Sequence, residues 1–253
     1  MVTKMRDYSV LDKFKFERKP VGVKFTAIKP KGIKRIAKEL NFCEMLKEAQ
    51  QGNSFYVAPD DWVCVGIEQM ILGMAEPDPV LISGVLGEED VLFKSANACR
   101  ALYNYLPYMP KNSVQYVVFS SVDKMTFEPD LLVITADLPQ AQTILRSVNY
   151  STGVPFVSKA TPVIACAWIY VYPVVSGELN YYITGLGMGM NALNIFPPGL
   201  FLISIPFQKI PMVLENLAEM SYSPKLKPGP GGPAHRKRVN KMLADLRKKI
   251  KEK

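Results

Sequence analysis

Cysteine is the residue type in this chain whose chemistry and placement point most directly to a functional site. The sequence contains four of them: Cys43, Cys64, Cys99 and Cys166. No two form a CxxC pair, so their spacing carries neither a zinc-ribbon nor a dithiol redox signature. Thiolates are nucleophiles and ligands for soft metals, and both roles need a thiol that loses its proton. The local structure around each cysteine therefore decides which chemistry is available.

Cys43 and Cys64 are each predicted to lie in the first turn of a helix. Asn41 is a favourable N-cap with Glu44 three residues later, and Asp60 is predicted to start a second helix. The positive end of a helix dipole would lower the pKa of both thiols. We therefore expect these two cysteines to be candidate nucleophiles or metal ligands.

The other two cysteines lie in apolar surroundings. Cys166 falls in the apolar run 163–168 and could approach the first two only through the fold. Cys99 falls in the helix predicted at 91–105 and is expected to be a small core residue. Free cysteine is among the most buried residue types. Inert packing therefore stays an alternative for all four.

The chain's single histidine, His235, restricts the classes of enzyme that the sequence allows. It lies in the C-terminal tail, which excludes Ser-His-Asp triads, Cys-His pairs and histidine-based zinc sites from the body of the chain. No Walker loop is present, and the glycine-rich run 185–189 lacks the GxGxxG spacing. The neighbours Asp60 and Asp61 are better explained as residues that start a helix than as an acid–base pair.

Several runs around these cysteines, taken as a set, resemble one family of prokaryotic proteins. The runs are 43–49, 60–66, 72–74, 129–133, 141–142, 150–153 and 165–167. The family is domain-of-unknown-function family 169, the uncharacterised ArCR type, which is frequent in archaea and anaerobic bacteria. The resemblance covers about residues 15–222 and brings no established activity with it.

The resemblance implies that Cys43, Cys64 and Cys166 act together. The family pattern has cysteines at these three positions and not at that of Cys99. Three converging thiolates could ligate an iron–sulfur cluster with one open iron site or a single soft metal ion. A tetrapyrrole-type metal cofactor is a further candidate for the same site.

A glycine-rich turn is the second candidate part of this cofactor site. Gly185, Gly187 and Gly189 would let the backbone approach a ligand closely, and Met188 would add a soft apolar contact. Family members tend to carry an arginine in this turn, whereas the run 185–191 has no basic residue. If that arginine meets an anionic group, this chain lacks the contact. A hairpin turn without a ligand is the alternative.

The hydrophobic pattern indicates an α+β fold with mixed or antiparallel sheets and helices on one face. Strands are predicted at 21–28, 54–57, 80–86, 114–120, 131–135, 180–184 and 200–204. Helices are predicted at 8–17, 41–52, 60–74, 91–105, 140–148 and 209–217. The last four strands and two helices also suggest an internal repeat of β-β-α units at an offset of 69 residues. The alternative is that the two units are unrelated, since any two strand–helix units look alike at this level.

Charge divides the chain into a nearly neutral body and a basic tail. The net charge is +8, from 31 Lys and Arg against 23 Asp and Glu. Residues 234–253 hold nine of these basic and two of these acidic residues, which leaves 22 and 21 for the rest, a net of +1. We therefore predict a body at 1–222, a Pro/Gly linker at 223–233 and a basic amphipathic helix at 234–253.

The tail helix carries a candidate anion-binding face. Its members are Arg236, Lys237, Arg238, Lys241, Arg247 and Lys248. We expect the helix to dock on the body or on a second subunit of a homo-oligomer, with nucleic acid or an anionic membrane surface as alternatives. The tail contains no aromatic residue, so stacking on bases is not supported.

Hydropathy and cysteine usage indicate a cytoplasmic protein with reduced thiols. The most apolar stretch, 162–175, is shorter than the ~20 residues that span a bilayer, and the N-terminus lacks an apolar signal core. Three functions stay open at this point. They are a cysteine-centred cofactor-binding or redox protein, a nucleic-acid-associated module acting through the tail, and a small-molecule binding protein whose cysteines only pack.

Overall fold

A computed structural model describes residues 6–64, 66–220 and 233–251. The chain divides into a first unit, residues 1–220, and a second unit, residues 221–253. Most of the predicted linker lies outside the described residues, and its last residue, Pro233, begins the C-terminal helix.

The first unit is built on a sheet that contains six strands within the described residues. They are β1 (Val21–Thr26), β2 (Ser54–Val57), β3 (Tyr116–Ser121), β4 (Leu131–Ala136), β5 (Asn180–Ile183) and β6 (Phe201–Pro206). Their order is β2-β3-β1-β4-β6-β5, and every neighbouring pair is antiparallel. The predicted α+β class with an antiparallel sheet is confirmed.

Short helices connect the strands. They are α1 (Phe42–Gln50), α2 (Ile67–Ile71), α3 (Pro79–Ser83), α4 (Val85–Glu89), α5 (Ala96–Tyr103), α6 (Leu138–Tyr150), α7 (Tyr172–Ser176), α8 (Met188–Ala192) and α9 (Ile210–Glu219). A π-helix, Ala167–Val171, leads directly into α7. A 3₁₀ turn, Ser9–Phe14, stands where the first helix was predicted.

Both faces of the sheet are covered. Side chains alternate between the two faces of a strand, and all six residues of β4 are buried. Leu131 and Val133 pack with α1 and the π-helix in the main apolar cluster, which contains no residue of α6 or α9. Leu132 and Ile134 face the other way and are equally buried, while α6 contacts β4, β6 and α9. The expectation of helices on one face is wrong, because the central strands are apolar on both faces.

Aromatic rings fix the start of α1 against the sheet. The ring of Phe42 stacks on Tyr170 with centroids 4.1 Å apart and meets Trp62 edge-on at 4.7 Å. Phe119 of β3 closes the cluster, with its centroid 5.7 Å from that of Phe42. Such pairs add specific geometry to the burial of large apolar surfaces. The first turn of α1 is therefore held next to the π-helix.

The second predicted helix is wrong in its first half. The carboxylate of Asp61 accepts the Ala58 N–H at 2.7 Å and pairs with the Arg35 guanidinium at 2.9 Å, which closes a tight 3₁₀ turn. Trp62 then continues in an extended conformation. The chain turns at Gly66, whose φ is 84°, and only then begins α2.

The predicted strand at 80–86 is also wrong. The Asp78 carboxylate accepts the N–H groups of Val80 and Leu81 and caps α3, and Gly84 with φ 83° separates α3 from α4. Local capping outweighs the β-forming composition of this run. The helix predicted after it is shortened to α5, which begins at a serine cap.

The two halves of the suggested repeat share a strand followed by a helix, and β4 lies beside β6 while α6 packs on α9. Their first strands differ in placement. β5 pairs directly with β6, whereas β1 lies between β3 and β4. The repeat therefore extends to β-α units and not to β-β-α units.

The second unit contains the predicted C-terminal helix, α10 (Pro233–Lys251). Its aliphatic side chains Met242, Leu243, Leu246 and Ile250 are exposed. Within the described ranges, no helix combines the length and the apolar character that crossing a bilayer requires.

Candidate functional site

Three cysteines from distant parts of the sequence line one cavity of about 130 Å³. Cys43 comes from α1, Cys64 from the bend before α2, and Cys166 from the residue before the π-helix. Glu68 of α2 and the glycines at 187 and 189 line the same cavity. A larger cavity of about 490 Å³ lies beside the N-terminal turn, but no cysteine lines it. The chemistry of the lining, rather than size, marks the first cavity as the candidate site.

Cys43 occupies the first turn of α1, as predicted. The Glu44 carboxylate accepts the Asn41 N–H at 2.9 Å and so helps to cap this helix. Burial, with the charges of Glu68 and Glu44 acting in the same direction, nevertheless raises the pKa of Cys43 to about 12. The expectation of a lowered pKa is therefore wrong, because desolvation and nearby negative charge outweigh the helix terminus.

Cys64 does not lie in a helix. Its thiol donates a hydrogen bond to Oδ1 of Asn41, the residue before α1, with Sγ and O 3.0 Å apart. This bond joins the bend to the start of α1. Burial, followed by the charge of Glu68, raises the pKa of the Cys64 thiol. The predicted helix-dipole activation does not apply here.

Cys166 lies between two unusual backbone features. The π-helix begins at the next residue, and Ile164, two residues earlier, has a φ of 55°. A β-branched residue with positive φ is a genuine outlier, and such strain and π-turns concentrate at functional sites. Burial raises the pKa of Cys166 well above its ordinary value, and the charge of Glu68 adds to this.

Asn180 of β5 anchors the segment that carries Cys166. Its side chain is fully buried. The Nδ2 group donates to the carbonyls of Lys159 at 2.9 Å and Trp168 at 2.8 Å, and Oδ1 accepts the Lys159 N–H at 2.8 Å. Ser158 also donates to Oδ1, at 3.0 Å. The edge of the sheet therefore determines where Cys166 lies.

Glu68 is a candidate site residue that the sequence did not point to. It is 7% exposed, and its Oε1 accepts a hydrogen bond from Cys166, with O and Sγ 3.7 Å apart. Burial raises the pKa of Glu68, and the neighbouring thiols of Cys64 and Cys166, together with a backbone hydrogen bond, partly offset that effect. A glutamate four residues after a cysteine and between the apolar Ile67 and Met70 was the available signal.

The cavity lining contains no lysine, arginine or histidine. No cation therefore stabilises a thiolate, and the raised pKa values leave the three cysteines as neutral thiols. A nucleophilic cysteine needs a base or a positive field beside it. The site is accordingly built as a set of soft donors around a small space and not as an activated nucleophile.

In the described part of the chain, no group of three or more His, Cys, Asp or Glu side chains is arranged to hold a metal ion. The three thiols face a shared space, but as the side chains stand they do not enclose a single ion. A ligand in this position would have to be larger than one ion, or the side chains would have to move.

The glycine-rich turn is only partly at the site. Gly187 and Gly189 line the cavity, whereas Gly185 and Met188 do not. Gly185 has a φ of 94° and packs near Pro198. The Leu186 N–H donates to the Ile183 carbonyl at 3.2 Å, so the run begins as a turn and continues into α8 at Met188.

Cys99 lies apart from the cavity and is buried in α5. Its Sγ packs on Gly87 of α4, where an added Cβ would lie 2.4 Å away. The expectation that Cys99 is a core residue agrees with this position.

A family model described as Uncharacterised ArCR, domain-of-unknown-function family 169, matches residues 10–216. The chain belongs to this family. The match includes every cysteine and every other residue of the cavity, and it ends before α10. Comparison of this ArCR protein with curated proteins and with solved structures gave no match.

The candidate anion-binding residues of the tail of this ArCR protein lie on α10 and are exposed. They are Arg236, Lys237, Arg238, Lys241, Arg247 and Lys248. It stays a prediction that the tail helix docks on the body or on a second subunit. Contact of the tail with nucleic acid and formation of a homo-oligomer are predictions as well.

Proposed function

We propose that this ArCR protein is a cofactor-binding protein that holds a compact iron–sulfur cluster through Cys43, Cys64 and Cys166. The observation that carries the proposal is the convergence of these three cysteines on one cavity. They come from three separate segments, and the fourth cysteine of the chain lies elsewhere. Thiolate ligands favour iron–sulfur clusters, zinc and copper(I).

The size of the cavity favours a cluster over the other candidates. About 130 Å³ is well below the roughly 300 Å³ at which pockets begin to enclose drug-sized ligands, so a tetrapyrrole does not fit without opening the fold. A single ion would need the thiols within ~2.3 Å of one point, and the described side chains have no such arrangement. A cluster contains several irons, so thiols that face one cavity could each bind a different iron without meeting at one point.

The charge of the site supports a metal-containing ligand. Three thiolates and the Glu68 carboxylate would place four negative charges in a buried space without a basic side chain. An organic anion would be repelled, and a neutral apolar molecule would leave the carboxylate unpaired. Iron would supply the missing positive charge, and each thiol would release its proton to solvent on binding it. Reduced thiols also fit the predicted cytoplasmic location.

Anaerobic reconstitution with iron and sulfide tests the proposal. We expect the protein to become coloured and to retain both elements after desalting. Cys43→Ser, Cys64→Ser and Cys166→Ser should each lower the retained iron by roughly tenfold or more, because each removes a ligand and changes at the metal site are costly. The measurements are iron and acid-labile sulfide per chain, with the absorption spectrum.

Cys99→Ser is the matched control, since it changes a buried cysteine that is not part of the cavity. It should retain iron and sulfide like the unchanged protein. A protein that stays colourless and iron-free after reconstitution would refute the proposal. Equal iron loss in all four cysteine variants would point to unfolding, which circular dichroism detects.

A further inference from the structure

The apolar side chains of α10 form one stripe along the helix. Val239, Met242, Leu243, Leu246 and Ile250 recur every three or four residues, which places them on one side of a helix with about 3.6 residues per turn. The last four of these side chains are between 43% and 74% exposed. Apolar surface in water is unfavourable, so a continuous exposed stripe indicates a surface that meets a partner.

Basic side chains border this stripe on both sides. With about 3.6 residues per turn, Arg236 and Arg247 lie along one edge of the stripe, and Arg238 and Lys249 lie along the other. All four side chains are exposed. The helix contains a single acidic residue, Asp245. A partner that covers the stripe therefore has to be negatively charged where it meets these two edges.

A second copy of α10 does not meet this requirement. Pairing two copies would bring the basic edges of both helices together, and like charges at facing edges disfavour a helix pair. The stripe is also short for a coiled coil, which needs an apolar seam over at least about three heptads. Lys249, three residues after Leu246, interrupts that seam. The chain outside residues 234–253 has a net charge of +1 and supplies no excess of negative charge either.

Nucleic acid would match the basic edges of α10 but not its apolar stripe. Its phosphates bind lysine and arginine, whereas a row of aliphatic side chains gains nothing from a phosphate backbone. The tail also has no aromatic residue that could stack on bases. An anionic lipid surface matches both features. The aliphatic side chains enter the boundary of the acyl chains, and the long basic side chains at the edges reach the headgroup phosphates.

We propose that α10 binds anionic lipid surfaces and lies in the plane of the membrane interface, with its apolar stripe facing the acyl chains. This function of the tail does not depend on the cofactor proposed above. Each lysine or arginine near an anionic surface strengthens binding roughly fivefold. The stripe is short, so the binding is reversible and requires both the charge and the apolar side chains.

Co-sedimentation of the whole chain with lipid vesicles tests the proposal. We expect binding to vesicles made of equal parts of phosphatidylglycerol and phosphatidylcholine, and little binding to vesicles of phosphatidylcholine alone. Replacing Arg236, Arg238, Arg247 and Lys249 by glutamine should weaken binding to the anionic vesicles by roughly a hundredfold or more. Replacing Met242 and Leu246 by glutamine keeps the charge and should still weaken this binding by roughly tenfold or more.

The matched control replaces Val154 and Val157 by glutamine, because both are exposed aliphatic side chains of the first unit. It should bind anionic vesicles like the unchanged protein. Equal binding of the unchanged protein to both kinds of vesicle, or binding to neither, would overturn the proposal. Undiminished binding of the Met242 and Leu246 variant would overturn it as well and would indicate a polyanion bound by charge alone. In analytical ultracentrifugation, a dimer that these two substitutions dissociate would instead identify a second copy as the partner of the stripe.

Discussion

At the residue scale, the cavity thiols are kept protonated by their surroundings. Cys43 shows the balance most clearly, since it has the favourable position at a helix start and still has a pKa of about 12. Burial is the largest cause, and two carboxylates act in the same direction. A helix terminus contributes only on the order of 1 kcal/mol, which is less than the cost of burying a thiolate without a cation. A multivalent cation is what would change this balance.

The raised pKa of Cys43 predicts an alkaline loss of stability in the cofactor-free protein. Its ordinary value is 9.0 and its folded value about 12. The folded state then holds the proton more tightly than the unfolded state, so the stabilisation is complete below pH 9 and is lost as the pH rises towards 12. The serine of Cys43→Ser does not titrate in this range, so its free energy of unfolding should fall less as the pH rises. The difference between the two proteins should grow by up to about 1.4 kcal/mol per pH unit.

Urea unfolding at pH 8 and at pH 10 measures this difference between the unchanged protein and Cys43→Ser. If the free energy of unfolding falls equally in both proteins between these pH values, the Cys43 thiol is not buried as a neutral group in the folded state.

The sequence predicted which cysteines belong to the site, but it did not predict their pKa values. The choice of Cys43, Cys64 and Cys166 over Cys99 came from the family resemblance, and the cavity brings those three together. Their predicted activation failed, because burial is a property of the whole fold that local spacing does not report. Glu68 was missed for the same reason, since its place beside the cavity thiols depends on segments that are distant in the sequence.

At the element scale, the site depends on how the edge of the sheet holds an irregular segment. The chain between α6 and the π-helix has no regular structure, yet it must place Cys166 opposite α1. Asn180 provides the attachment through its bonds to Lys159 and Trp168. The hydroxyl of Tyr182 adds another by donating to the Thr161 carbonyl at 2.7 Å. Side chains of one strand thus substitute for missing backbone pairing.

Asn180→Ala should therefore destabilise the protein by about 3 kcal/mol, because it leaves several buried backbone groups without partners. It should also lower iron retention, since Cys166 loses its support. Asn191→Ala, at an exposed position of α8, is the control, with an expected change within ~0.5 kcal/mol. Urea unfolding provides the free energies, and an Asn180→Ala protein as stable as the control would contradict the proposed anchoring.

The regular elements were easier to predict than the connections. Strands β1 to β6 follow from apolar and β-branched runs, and α1, α6 and α9 follow from their periodicity. The segments around α2 and α3 were not predictable in the same way. Single side chains, Asp61 and Asp78, redirect their own backbones there by accepting N–H groups. Hydrophobic periodicity contains no record of such bonds.

At the scale of the whole molecule, the positive charge and the candidate site belong to different units. The cavity lies in the first unit, and residues 234–253 carry +7 of the net +8. The ArCR family match stops at residue 216. Binding to polyanions is therefore expected to depend on the tail and not on the part of the chain that defines the family.

Replacing the six tail cations from Arg236 to Lys248 by glutamine should lower the salt concentration at which the protein elutes from heparin. The replacement reduces the charge of the tail from +7 to +1, and polyanion binding follows the number of cations. The matched control changes Met242 and Leu246 to glutamine, which alters the apolar stripe but not the charge. Unchanged elution of the six-residue variant would show that another surface binds heparin.

The position of β1 in the sheet has a consequence for how the protein is made. β1 emerges early from the ribosome, but it pairs with β3 and β4, which follow about a hundred residues later. At ~5–20 residues per second, Cys43 and Cys64 wait on the order of ten seconds for Cys166 to be translated. During that interval nothing of the mature cavity shields them from oxidants. A growing chain is thus most exposed to oxidation at Cys43 and Cys64 before its sheet closes, and any cofactor that needs all three cysteines would bind only after Cys166 is translated.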